Sequence, residues 1–237
     1  TFSSDALING LTIGRGAGSS TNSSAAVGRL ALQLNTTGIS NNAFGELALG
    51  KNTTAGNNSA YGSNSLGDNT SGDGNSAYGS NSLADNTVGN SSVAIGRDSL
   101  VGNITGSNNT AVGRSSARFI SDKITLATIL NNSIMLGFNT SPLANNQTNQ
   151  IVIGHEANGL GSNTSVLGNL NTIFSRIWGR LLLGTSTDNG VDALQVNGTA
   201  NIVINSYAND AAADADTNLK SKTLYKITGS RIVYQKP

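Results

Sequence analysis

The side chains that could do chemistry are few and widely spaced. His155 is the only histidine of the chain, and Glu156 follows it. With so many serines present, an imidazole beside a carboxylate is formally the kernel of a nucleophilic triad. No nucleophile elbow accompanies it, so a histidine at a loop corner is the expectation. Asp68 and Asp85 stand 85 − 68 = 17 residues apart, with Lys51 another 17 before them. If that spacing is one structural turn, the carboxylates lie near the ~5 Å separation of a retaining glycosidase. The plainer reading is a solvated charge ladder partly compensated by Lys51, and no enzyme is expected. Arg97 and Arg114, also 17 apart, lie close in sequence to Arg118. Such a guanidinium cluster suits phosphate or carboxylate groups and is a candidate binding patch. Gly72-Asp73-Gly74 lacks the nonapeptide pattern of calcium-binding glycine-rich repeats. The threonines 36, 53, 70 and 87 form a column that ends at Ile104 and reads as a turn ladder. No cofactor and no metal follow from any of these residues.

The recurrence of 17 points to the elements that must carry them. A small residue, a larger residue and a glycine return as Ala26-Val27-Gly28, Ala43-Phe44-Gly45, Ala60-Tyr61-Gly62, Ala77-Tyr78-Gly79, Ala94-Ile95-Gly96 and Ala111-Val112-Gly113. Two further columns stay in phase: Leu32, Leu49, Leu66, Leu83, Leu100 and then Ala117, and Asn35, Asn52, Asn69, Asn86 and Asn103. A short β-branched or aromatic run followed by Asn-Thr-x-Gly turn chemistry is one strand plus one turn. Repeated at fixed length, this coils into a solenoid whose equivalent residues stack ~4.8 Å apart. The fold expected is all-β, a parallel β-roll or β-solenoid of 14–17-residue coils over 1–168. Gly28, Gly45, Gly62, Gly79, Gly96 and Gly113 are its structural glycines, allowing a neighbouring backbone to approach closely. The bulky column Val27, Phe44, Tyr61, Tyr78, Ile95, Val112 is expected in the core. Gly14 looks like an earlier coil at a spacing of 14. Downstream, 137 − 113 = 24 places an insertion of a strand or short helix near 118–133, before the repeat resumes at Gly154 and Gly168.

Beyond Gly168 the pattern changes. Residues 169–208 read as a transition, with the apolar run Leu181-Leu182-Leu183-Gly184 ending the repeat. Turn signals at Asp188-Asn189-Gly190 and Asn197-Gly198 flank Val191 to Val196. Residues 209–237 read as a small β cap with a hairpin turning at Gly229-Ser230, expected to cover the last coil. Its Tyr225, Lys226, Arg231 and Tyr234 are further candidate binding residues, together with Tyr207, Lys220 and Lys222.

Composition narrows the partners. Charged residues are 11% of the 237, against roughly 25% in ordinary globular domains. A formal net charge of +1 gives no general attraction for nucleic acid or anionic membrane. No apolar run approaches the ~20 residues of a membrane helix. Cysteine is absent, which excludes disulfides and thiolate metal sites. No signal-peptide pattern begins at Thr1, and the missing initiator methionine points to a trimmed or truncated start.

Asn109-Thr110-Ala111-Val112-Gly113, Ser92-Val93-Ala94-Ile95-Gly96-Arg97-Asp98-Ser99-Leu100 and Asn35-Thr36-Thr37-Gly38 resemble the head repeats of trimeric autotransporter adhesins. The 17-residue version is similar to repeats of tailed-bacteriophage tail fibres. So are the segment from Asp188 to Gly198 and the ending from Leu224 to Pro237. The resemblance implies a left-handed parallel homotrimer located in the virion, extracellular, docked to other virion proteins through its N-terminal side. It also implies attachment to a host cell-surface glycan or protein receptor, without catalytic residues. A bacterial adhesin head and a glycan-degrading tailspike are the alternatives.

Overall fold

The computed structural model describes residues 6–8, 11–14, 23–169, 171, 181–183, 194–196, 206–207, 224–227 and 233–235. The chain divides into two units, Thr1–Ser175 and Arg176–Pro237. Among the described residues every regular element is a strand.

In the first unit, β1 (Ala6–Ile8), β2 (Leu11–Gly14), β3 (Ala25–Gly28), β4 (Asn42–Phe44), β5 (Ser59–Tyr61), β6 (Ser76–Tyr78), β7 (Val93–Ile95) and β8 (Thr110–Val112) succeed one another. They are followed by β9 (Leu130–Asn131), β10 (Ile134–Leu136), β11 (Gln147–Thr148), β12 (Ile151–Ile153) and β13 (Ser165–Leu167). One 11-stranded sheet joins β1 to β8, β10, β12 and β13 in chain order. From β3 onward all its pairings are parallel, and Ala26, Ala43, Ala60, Ala77, Ala94 and Ala111 stand opposite one another. The fold is therefore an all-β parallel solenoid with one short strand per coil up to β8, and a second two-residue strand in the next two coils, where β9 pairs with β11. The sheet-like bonding continues into the turns, where Leu32 N–H donates to Ala48 O and Leu49 N–H to Ser65 O. That continuation satisfies backbone groups that three-residue strands alone would leave unpaired.

Leu11–Gly14 is not the first coil. β2 runs antiparallel to β3, pairing Gly14 with Ala26 and Ile13 with Val27, and β1 returns antiparallel on β2. A reversed strand occupies the open edge of β3, which a further parallel coil would only have moved.

Each coil has a thin interior. Strands β3 to β7 turn an alanine inward to meet the fully buried leucine of the following turn, with Ala31, Ala48, Ser65, Ser82 or Ser99 beside it. Ala111 of β8 is followed by Ser116 and Ala117, also buried. The leucine residues 32, 49, 66, 83 and 100 hold φ between 49° and 50°, in the left-handed region. That conformation costs a non-glycine residue about 1–3 kcal/mol and persists only where packing enforces it. Here it aims the side chain inward. Two asparagine ladders line the rest of the interior. In the first, Asn52 Nδ2 donates to Asn35 Oδ1 (2.9 Å), Asn69 to Asn52 (3.0 Å) and Asn86 to Asn69 (2.8 Å). The same amides also donate to carbonyls three residues on, as Asn69 does to Gly72 at 3.0 Å. The second ladder runs through Asn41, Asn58 and Asn75, whose Oδ1 atoms accept the N–H groups of Asn58, Asn75 and Ser92. The Asn-Thr-x-Gly asparagines thus act through their side chains, and the left-handed corners fall elsewhere, as at Asn57 and Asn108.

The insertion is a loop, with neither helix nor full strand. Phe119 and Leu126 form an isolated antiparallel bridge, after which Leu130 returns to the solenoid. Asp122 caps the loop tip by accepting from Ile124 and Thr125 N–H, both at 2.8 Å. Lys123 Nζ then pins the loop to the next coil through Asn139 O (2.7 Å) and Ser141 Oγ (2.6 Å).

In the second unit, β14 (Leu181–Leu183) and β15 (Leu194–Val196) pair in parallel, not as a hairpin. The apolar run at 181–183 is therefore a strand of another parallel turn, where an end of the repeat was expected. β16 (Ser206–Tyr207) pairs in parallel with β17 (Leu224–Ile227), which pairs antiparallel with β18 (Val233–Gln235). The expected hairpin is formed, and its turn at Gly229-Ser230 lies outside the described residues.

Candidate interaction surfaces

The bulky strand column lies outside the core, contrary to the expectation from sequence. A strand alternates its side chains, and the small alanine is the residue turned inward. Phe44, Tyr61, Tyr78, Ile95, Val112, Ile153 and Leu167 are consequently exposed on the outer face, from 36% for Phe44 to 57% for Leu167. The interior is too thin for an aromatic ring, and parallel in-register coils stack the rings instead. Phe44 lies on Tyr61 and Tyr61 on Tyr78, each with centroids 4.9 Å apart and planes 4° from parallel. The rings cover one another's faces and show the solvent their edges. On the same face Ile134 and Ile151 are also exposed, widening the apolar stripe toward its C-terminal end.

The column after each repeat glycine forms a second surface. Arg29 pairs with Glu46 of the next coil. Arg97 and Arg114 follow on successive coils, and the structure places Asp98 between Arg97 and Arg118. Asp98 Oδ2 takes Arg118 at 3.0 Å and lies 3.7 Å from Arg97 Nε, while its Oδ1 accepts Asn81 Nδ2 at 3.2 Å. Arg114 sits over the Phe138 ring at 4.8 Å, and Phe138 stacks on His155 at 5.2 Å. Arg118 covers Phe119 at 4.8 Å. Sequence reasoning missed Asp98, Phe138 and His155 as neighbours of the arginines. The signal was present, since Phe138 and His155 each follow a repeat glycine once the insertion is removed.

Lys51 Nζ and Asp68 Oδ1 are 2.9 Å apart. The hydrogen bond to Asp68 holds the Lys51 ammonium above its usual range. Asp85, half-buried one coil further on, is pushed up by burial and then by the charge of Asp68. The threonine column is a backbone ladder, in which Thr53 Oγ1 donates to Thr70 O and Thr70 Oγ1 to Thr87 O, both at 3.0 Å. Asp73 Oδ1 accepts Gly56 N–H at 2.6 Å, a turn contact between coils. His155 Nδ1 is 3.8 Å from Glu156 Oε2, both well exposed. Among the described residues no group of three or more His, Cys, Asp or Glu could hold a metal ion. Among them there is no helix long and apolar enough to cross a membrane.

Tyr225 and Tyr234 stand directly opposite on β17 and β18, and Lys226 opposite Val233. Arg231, Lys220 and Lys222 lie outside the described residues. Comparison with protein-family models, curated proteins and solved structures gives no match.

Proposed function

We propose that this chain is part of the attachment fibre of a tailed-bacteriophage virion. In this reading its copies associate in parallel as a homotrimer through the apolar strand face and hold a bacterial surface receptor without covalent chemistry. The observation that carries it is the stripe from Val27 to Leu167, one apolar residue per coil on the face opposite the buried alanines. Each coil already closes its own interior, so the stripe serves contact with something else. Contiguous exposed apolar surface of this kind marks an interaction site. Rings shown edge-on, with their faces covered by one another, suit interdigitation with an identical stripe better than stacking on sugar. Copies arranged about a threefold axis would meet at equal heights along the rod, pairing each residue with its equivalents. The sequence resemblance supplies the virion setting, and a multivalent fibre gains avidity from weak receptor contacts.

The test is the solution mass of the unheated chain by light scattering. Three times 24.1 kDa is expected. The double variant Tyr61→Glu with Tyr78→Glu should fall to one chain while keeping its β circular dichroism. A wild-type chain that stays monomeric at micromolar concentration would sink the proposal.

A further inference from the structure

We infer that the ridge carrying Arg97 and Arg114 binds a linear acidic polysaccharide, through carboxylate or phosphate groups repeated along its chain. This rests on the reading of the protein as an attachment fibre.

Charge supplies the first argument. In the earlier coils the cations are answered between successive coils, Arg29 by Glu46 and Lys51 by Asp68. Around residues 97–118 there are three guanidiniums and one carboxylate, which takes Arg118 and lies near Arg97. Asp98 is largely committed to Arg118 and Asn81, and it reaches Arg97 only at 3.7 Å. Arg114 has no carboxylate within ion-pair distance among the described residues, its nearest charge-related contact being the ring of Phe138. Glu156, two coils beyond Arg114, faces His155 and acts on Lys123.

Order supplies the second. A flexible arginine normally loses rotamer freedom when it binds, which weakens association. Here Arg114 already rests on Phe138, and Phe138 is held against His155. Arg118 is fixed by Asp98 and Phe119 and keeps Asp98 turned toward itself. The Arg97 side chain stays 57% exposed.

Spacing supplies the third. Arg97 and Arg114 occupy equivalent positions on adjacent coils, so their stems are offset by one coil rise, ~4.8 Å. A linear polysaccharide with an acidic group on each sugar presents its charges at a comparable repeat. The planar guanidinium fork matches either oxyanion in two-point fashion. The chain's net charge of +1 lacks the broad basic field that a nucleic acid would need.

The test uses the intact chain against polygalacturonate, poly(glycerol phosphate), uncharged dextran and a single-stranded oligonucleotide, by calorimetry at low salt. Binding to one or both acidic polysaccharide-type polymers, absent with dextran and weakening as salt rises, is expected. Which polymer binds separates carboxylate from phosphate recognition. Arg97→Ser with Arg114→Ser places in the ridge the residue that stands there naturally at 63 and 80, so folding is preserved. That variant should lose at least tenfold in affinity, and Arg29→Ser should lose nothing. Failure of both acidic polymers to bind, unchanged affinity of the double variant, or tighter binding of the oligonucleotide would overturn the assignment. A trimeric wild type that ignores the polymers removes the ridge and leaves the fibre. A monomer that binds them does the reverse.

Discussion

Met135 takes the inward strand position where every preceding coil has alanine, and it does so next along the rod from Ala117, which takes the turn position where every preceding coil has leucine. Both are fully buried in the same core cluster. The bulk of the interior has moved from the turn to the strand, and Val152 keeps it there in the following coil.

Volume compensation across a thin core predicts strong coupling between these two residues. Met135→Ala should cost about 2–5 kcal/mol as a cavity, and Ala117→Leu about 1–3 kcal/mol as overpacking. Combined, they restore the arrangement of the earlier coils and should cost clearly less than their sum. Urea melts of the four proteins measure this. Strict additivity would show that the two sites do not share one space.

The glycines should divide sharply into two kinds. Gly62 holds φ +144°, and a Cβ there would lie 2.5 Å from the carbonyl of Gly79. Gly62→Ala should therefore destabilise by on the order of 3 kcal/mol or more, strain and collision adding. Gly74 holds φ +69° with its nearest neighbour at 3.7 Å, at the corner where Asn57 and Asn108 adopt φ 59°. Gly74→Asn should leave the melting temperature unchanged or raise it slightly. Equal losses from the two variants would contradict this assignment of roles.

Much of this arrangement was legible in the sequence. Three columns at one spacing fixed the coil length, the strand and its register, because a solenoid repeats its environment with its residues. Side-chain direction was harder to read. Size suggested that Tyr61 and Tyr78 are core and Ala60 and Ala77 are spacers, whereas the leucine of the next turn fills the interior and leaves room only for alanine. Gly14 misled for a related reason, since one motif carries no direction and β2 runs backwards. The arginine ridge was half legible. Arg97 and Arg114 fall in one column by counting, but Asp98 reaches Arg118 and Arg97 by side-chain geometry that spacing does not encode.

Titration of Asp85 gives a pH-dependent prediction. Its carboxyl is pushed up in the folded protein by burial and by Asp68. A carboxyl raised on folding binds its proton more tightly in the native state, so it lowers stability as pH rises through its folded value. Asp85→Asn should accordingly raise the melting temperature at pH 7. The gain should fade on acidification and vanish below the ordinary aspartate range, where the wild-type group is neutral in both states. A gain that persists unchanged at pH 2 would refute the electrostatic origin.

The two kinds of buried amide should respond oppositely to removal. Asn69 donates to Asn52 Oδ1 and Gly72 O and accepts from Asn86, so it is satisfied within the ladder. Asn69→Ala leaves Asn52 Oδ1 buried without a partner, at about 1–3 kcal/mol before relaxation, while Gly72 O keeps Asn58 and the Asn86 amide keeps Gly89 O. Gln150 is fully buried in the second ladder's column, yet neither Nε2 nor Oε1 has a partner. Its backbone alone makes the coil contacts, accepting from Ile134 N–H and donating to Ser133 Oγ. Gln150→Met keeps the length of the side chain and those backbone bonds while removing two unpaired polar atoms. It should stabilise the protein by about 1–3 kcal/mol, the desolvation penalty of the unmet groups. Thermal melts of both variants decide the matter: Asn69→Ala must lower the transition and Gln150→Met must raise it. A fall with Gln150→Met would mean that its amide is hydrogen-bonded in solution and belongs to the ladder after all.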